Sequence, residues 1–119
     1  MDKARIIQLP KIEDPRGNLT FFEDFKQIPF AIERAFWTYD VPGGQVRGGH
    51  AYKTQEEFVI ALSGSFDVVV VNQDGSEDHF HLNRSYFGLY LPPKTWRHME
   101  NFSTNSLSFH VSNALYSEE

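Results

Sequence analysis

His50 and Tyr52 lie in the run Arg47-Gly48-Gly49-His50-Ala51-Tyr52-Lys53-Thr54-Gln55-Glu56-Glu57, and their types and spacing suit proton-transfer chemistry. Histidine titrates near neutrality, so one imidazole can accept a proton and give it back. On an extended segment side chains alternate, which sends His50, Tyr52 and Thr54 to one side and Ala51, Lys53 and Gln55 to the other. The imidazole and the phenol can then share a pocket, with the tyrosine as hydrogen-bond donor or proton relay. The ordinary alternatives are a partly buried histidine satisfied by backbone and a core tyrosine whose hydroxyl reaches the rim.

Three arginines stand near predicted strand ends: Arg16, Arg47 and Arg97. Guanidinium is the fork-shaped partner of phosphate oxygens, although a solvated charge is the commoner fate of any one such residue. Arg16 sits in the turn Asp14-Pro15-Arg16-Gly17-Asn18, and turns on rigid sheets are where ligand-binding groups concentrate.

The elements that must position these groups read as strands. Ile6, Ile7 and Leu9 mark a first strand ended by Pro10, and Leu19 to Glu23 a second. In Ala31 to Asp40 the alternation places Ile32, Arg34, Phe36 and Thr38 on one face and Ala35, Trp37 and Tyr39 on the other. Phe58 to Leu62 and Phe66 to Val71 flank a Ser63-Gly64-Ser65 turn, and Asp74-Gly75 carries a hairpin signal before His79-Phe80-His81-Leu82. Tyr86 to Leu91 forms another strand, and Leu107, Phe109 and Val111 mark the last. Ala114 to Glu119 reads as the start of a helix. Short strands separated by Gly, Pro, Asn and Asp predict an all-β antiparallel sandwich or small barrel.

The 119 residues are the length of one domain, 1–119, and 40% hydrophobic with 15% aromatic residues is the composition of a packed core. The net charge of −5 offers no basic field for nucleic acid, so an anionic ligand must be met by a few placed arginines. The absence of cysteine excludes disulfides and thiolate chemistry and fits a cytoplasmic home. No apolar run is long enough to span a bilayer, so no membrane partner is expected.

The segments Gly49-His50-Ala51-Tyr52 through Gly64, and Pro93-Lys94-Thr95-Trp96-Arg97-His98 through Asn101, resemble the two motifs of the cupin superfamily. Within it the chain is similar to the WxcM-like sugar nucleotide 3,4-ketoisomerases that act on dTDP-4-oxo-6-deoxyglucose. The likeness also rests on Asp14 to Leu19, Ile28 to Arg34, Arg47 to Ala51, Ser63 to Ser65, Gly88 to Tyr90 and Trp96 to Phe102, nearly the whole chain. Two positions depart from the family: its usual His-Ala-His is here His50-Ala51-Tyr52, and its frequent tyrosine pair is Phe36-Trp37.

The resemblance implies a jelly-roll cupin, a homodimer, no cofactor, a dTDP-linked sugar as substrate and further chain after the Tyr116 region. It makes His50 the base with Tyr52 its partner, gives Arg16, Arg47 and Arg97 to the diphosphate and sugar, and lets Trp96 stack on thymine. Two other readings stand beside it. One is a sugar-nucleotide binding module without turnover. The other is a metal-dependent cupin using His50, Glu56 or Glu57, and His98, with Tyr52 as fourth ligand, though Glu56 and Glu57 face opposite ways on a strand. His79 and His81 read as a solvated strand edge, and Lys53, Glu56 and His110 as supporting or surface groups.

Overall fold

The computed structural model describes residues 2–115. Among them the regular structure is entirely strand: β1 Arg5–Gln8, β2 Lys11–Ile12, β3 Leu19–Thr20, β4 Arg34–Tyr39, β5 Arg47–His50, β6 Glu57–Ser63, β7 Phe66–Val71, β8 Glu77–Leu82, β9 Phe87–Leu91, β10 Trp96–Glu100 and β11 Leu107–Ser112. They form a five-stranded sheet in the order β1-β9-β6-β11-β4, a four-stranded sheet in the order β5-β10-β7-β8, and a small β2-β3 hairpin. All ladders between these strands are antiparallel, giving the sandwich expected from the strand pattern and of the cupin type that the resemblance implies. No described helix is long and apolar enough to cross a membrane.

The larger sheet is covered on both faces. Between the sheets Val59, Ala61, Leu89 and Leu91 meet Phe66, Val68, Val70 and Met99. On the far side Phe58, Ile60, Tyr90 and Val111 lie under Leu9, Ile28 and Phe30. That double burial explains why β6 is a continuous apolar run rather than an alternating one. Each Val, Leu, Ile or Phe among them, fully buried, contributes about 1.5–3 kcal/mol.

The strands depart from the sequence reading in three places. The strand expected over Leu19 to Glu23 stops at Thr20, because Phe22 turns inward to pack edge-on against Phe58 at 5.5 Å. The one expected from Ala31 begins at Arg34, with Phe30 and Ile32 given to the cover of the second core. β10 is a full central strand of the smaller sheet, paired with β7 and β5. The helix expected from Ala114 lies, beyond Leu115, outside the described residues.

Two turns set the hairpins. Gly64, at φ +66°, joins β6 to β7 with its α-carbon pressed against Ser103 and Ser106, where a side chain would collide. Gly75, at φ +85°, closes the β7-β8 turn, in which Asp74 accepts the backbone N–H of Ser76 at 2.9 Å.

Candidate functional site

β10 and β5 run antiparallel with Arg97 opposite His50 and Met99 opposite Arg47. Three steps of β5 thus answer two of β10, and the extra residue is taken up where Gly48 adopts φ +75°. A regular strand would send residues 47 and 50 to opposite faces. The bulge lets Arg47 and His50 line the same cavity, of about 330 Å³, which Tyr52 also lines. The rings of His50 and Tyr52 are 5.5 Å apart. Tyr52 is held by its backbone carbonyl, which accepts the N–H of Lys94 at 2.6 Å and so ties the segment after β5 to the turn before β10. The His50 imidazole makes no hydrogen bond to a protein group among the described residues.

The floor is built by β6, β10 and β11. Along β11 the residues Ser108, His110 and Ser112 share the inner face and are buried, a polar stripe beside the apolar core. His110, 2% exposed, donates from Nδ1 to Glu57 Oε2 at 2.8 Å, and its Nε2 lies 2.9 Å from Ser108 Oγ. The Phe36 ring stacks on it at 4.4 Å and 9°. The other oxygen of Glu57, Oε1, stands 3.6 Å from Arg97 Nη1. Arg97 is 4% exposed, its Cζ is 5.0 Å from the centre of the Tyr52 ring, and all three guanidinium nitrogens are buried without a hydrogen-bond partner. A buried cation with unused donors is costly unless an acceptor reaches it, which marks the floor as a place where an oxygen-rich ligand fits.

Electrostatics follow from this packing. Burial pushes the Glu57 carboxyl up, but the hydrogen bond from His110 and the charges of His110, Arg97 and Arg34 more than reverse it, leaving the pKa below the ordinary carboxylate value. Burial, then the charge of Glu57, raises the Tyr52 phenol, which stays protonated at neutral pH. Burial lowers the Arg97 guanidinium, opposed by Glu57 and Tyr52. The group remains a cation because its ordinary value is so high.

Of the residues singled out in the sequence, the structure brings together His50, Tyr52, Arg47 and Arg97. Arg16 is apart: its side chain is 90% exposed and pairs in a fork with Asp14 of the same turn, at 3.0 Å on both arms. That pair raises the Arg16 pKa and lowers that of Asp14. Trp96 follows the period of β10 to the outer face, where it meets His98 edge-on at 4.9 Å. His98 pairs there with Glu100, and Glu56 accepts the Tyr90 hydroxyl at 3.0 Å, so the alternative metal set of His50, Glu56 or Glu57, His98 and Tyr52 is not assembled at one point. Among the described residues no group of three His, Cys, Asp or Glu is placed to hold a metal ion. His81 pairs with Asp67 at 2.6 Å and His79 lies 3.5 Å from Glu77, both exposed as expected. Lys53 is exposed and outside the cavity. Glu57, expected only as a ligand of the metal-dependent alternative, and His110, expected as a supporting or surface group, instead form a buried pair on the cavity floor. The signal for His110 is the Ser108, His110, Ser112 alternation of β11, which has the look of a solvent face and is buried, with His110 in the cavity wall.

The FdtA family model, described as WxcM-like, C-terminal, matches residues 2–119. The chain is 34% identical over 115 residues to a TDP-4-oxo-6-deoxy-alpha-D-glucose-3,4-oxoisomerase of Aneurinibacillus thermoaerophilus, covering 96% of this chain and 81% of that protein. Among solved structures, the WlaRB TDP-quinovose 3,4-ketoisomerase of Campylobacter jejuni superposes with a TM-score of 0.92 at 33% identity, covering 99% of this chain and 90% of that one. The QdtA sugar 3,4-ketoisomerase of Thermoanaerobacterium thermosaccharolyticum, solved in complex with TDP, gives a TM-score of 0.91 at 30% identity, with 97% and 83% covered.

Proposed function

The chain belongs to the WxcM-like FdtA family, and on that premise we propose that it moves the keto group of a TDP-linked 4-keto-6-deoxyhexose from C4 to C3. The observation that carries this reading is an imidazole, His50, without a protein hydrogen bond, at the mouth of a cavity whose floor holds a buried guanidinium with unused donors. At about 330 Å³ the cavity is at the small end of ligand sites, about 300–1,000 Å³, a fit to the hexose with the nucleotide left at the rim.

The reaction needs one base and one charge stabiliser. Neutral His50 takes the proton from C3, and the C–H electron pair forms the C3–C4 double bond while O4 becomes an enediolate oxygen. The Tyr52 hydroxyl passes the O3 proton to O4. The imidazolium then returns its proton to C4, and O3 becomes the carbonyl. Atoms and charge balance with no oxidant. Donors aimed at the enediolate in a dry site supply several kcal/mol, and Arg97 and the protonated Tyr52 are the donors at hand.

We assign diphosphate binding to Arg47 at the rim. Arg16 and Trp96 fall outside the contact set of the protomer by their positions. A homodimer is part of the same proposal: a groove lined by Phe21, Phe22, Leu62 and Phe109 on the outer side of the larger sheet, beside exposed Ile12 and Leu19, is the apolar face a second copy would cover. Sedimentation of the intact chain at micromolar concentration tests it, and a monomer would refute it.

The test of the reaction is NMR in D2O with TDP-4-oxo-6-deoxyglucose. A 3-keto product, with deuterium at C4 to the extent that the imidazolium N–H exchanges with solvent before it returns its proton, lost in His50→Asn while TDP still binds, is the expected result. Tight TDP binding without turnover would leave a binding module in its place. Activity abolished by chelator and restored by metal would return the metal-dependent reading.

A further inference from the structure

We propose that Glu57 and His110 are positioning residues that aim the Arg97 guanidinium at the reacting oxygens of the sugar, so that the cavity floor takes the hexose while the diphosphate stays at Arg47. The inference rests on the reaction proposed above and adds the orientation of the substrate to it.

Arg97 and Arg47 both line the cavity, but their surroundings differ. Arg97 is buried against an ionised carboxylate, Glu57 Oε1 at 3.6 Å, which offsets its charge. A diphosphate drawn onto Arg97 would bring its negative charge against Glu57 in a poorly solvated space, an arrangement that disfavours binding. A keto or hydroxyl oxygen meets no such repulsion and still gains from the free donors. Arg47 is exposed, and among the described residues it has no ion pair or hydrogen bond. It also lines a shallower depression of about 340 Å³ that continues past it along Trp37, Tyr39 and Gln45, with room for the rest of a nucleotide.

His110 cannot be the base itself. Both its nitrogens are engaged, Nδ1 with Glu57 and Nε2 with Ser108, and Phe36 covers one face. What its Nδ1–H does is fix the rotamer of Glu57, whose second oxygen then faces Arg97. A guanidinium fixed in this way is pre-organised, and charge developing on the substrate meets it without rearrangement.

The test compares wild type, Arg97→Lys, Arg47→Gln, His110→Leu and His110→Asn in two measurements, turnover of TDP-4-oxo-6-deoxyglucose and calorimetric affinity for TDP, which has the phosphates and lacks the sugar. Arg97→Lys is expected to lower kcat by about 100-fold, the loss typical of an oxyanion donor. Its TDP affinity should stay within about three-fold of wild type, whereas Arg47→Gln weakens TDP by about ten-fold. His110→Leu should lower kcat by about ten-fold or more at unchanged TDP affinity, and His110→Asn, whose amide N–H still reaches toward Glu57, should recover most of that loss. Recovery by asparagine separates positioning from mere filling of the floor. The His110 pair carries the test alone should Arg97→Lys not fold. Equal loss of TDP affinity in the Arg97 and Arg47 variants overturns the inference, as does His110→Leu turning over like wild type. A wild-type protein that turns over nothing defeats the reaction instead, and so the two failures are distinct.

Discussion

Arg47 and His50 are three residues apart on one strand and line the same cavity, because the β5 ladder gains a residue at Gly48. Gly48 has φ +75°, a backbone state that costs an L-residue about 1–2 kcal/mol, and a Cβ there would meet nothing nearer than 3.9 Å. Gly48→Ala is therefore a backbone substitution without a clash, and it is expected to lose about 1–2 kcal/mol by urea denaturation. Turnover should fall with it, since a strand that relaxes toward regular geometry turns one of the two side chains away. Gly49→Ala is the control: its φ is ordinary, its nearest contact is Trp96 at 3.5 Å, and stability should change by no more than about 0.5 kcal/mol. Equal effects of the two substitutions would contradict the bulge as the device that sets the site.

Tyr52 faces the cavity with its phenol pKa raised by burial and by Glu57, so it acts as a donor across the neutral range. Tyr52→Phe keeps the ring under Arg97 and removes only the hydroxyl. We expect kcat to fall by about ten-fold, equivalent to the loss of one neutral hydrogen bond in the transition state. KM should change little. Steady-state kinetics on the purified variant decide the point, and an unchanged kcat would take the relay away from Tyr52.

Glu57 links the site to acid stability. Its folded pKa lies below the ordinary value of 4.5, so between the two values the unfolded chain binds more protons than the native one, and stability rises with pH there. The contribution is complete above about pH 4.5 and is lost as pH falls through the folded value. Glu57→Gln should flatten that acid limb in denaturation curves taken from pH 6 down to pH 3. It should also cost about 3 kcal/mol near neutrality, since Arg97 is left buried beside no anion. An acid limb as steep as that of wild type would assign the sensitivity to other carboxylates.

Period two made much of the sandwich legible. The faces of β4 are as the alternation gives them, Arg34, Phe36 and Thr38 inward and Ala35, Trp37 and Tyr39 outward, and the Asp74-Gly75 hairpin stands where its turn residues put it. The same rule divides the two neighbours on β10. Trp96 and Arg97 are neighbours on a strand, so only one of them can face the cavity, and it is the arginine. That His110 is buried in the wall, and not one of the surface groups it could equally have been, has a different cause. On β11 the apolar residues Phe109 and Val111 face the second core, outside the sandwich, and the polar stripe faces in. Alternation says that two faces differ and not which one is interior, and a sheet covered on both sides defeats the polar-out assumption. Arg16 sits in the turn that Asp14 to Asn18 predict, while the direction of its tip, paired back onto Asp14, is set by packing that no local pattern encodes.

Gly88 carries the last expectation, a stability effect separate from chemistry. It lies in β9 between Ile7 and Ile60, and a Cβ built on it would fall 2.6 Å from the carbonyl oxygen of Val59 as well as against Phe58 and Ile60. A backbone oxygen in a central ladder cannot swing aside, so the sheet must open to admit a methyl group. Gly88→Ala is expected to cost about 1–3 kcal/mol, the range for an overpacked core, with Tm lower by about 4–8 °C per kcal/mol. Because Gly88 is no part of the cavity wall, turnover per folded molecule at a temperature well below the new Tm should match wild type. Calorimetry paired with active-fraction titration reads both quantities. A loss of turnover without a loss of Tm would mean that the β6-β9 ladder transmits strain to Glu57, the first residue of β6 and the partner of Leu91 across that ladder.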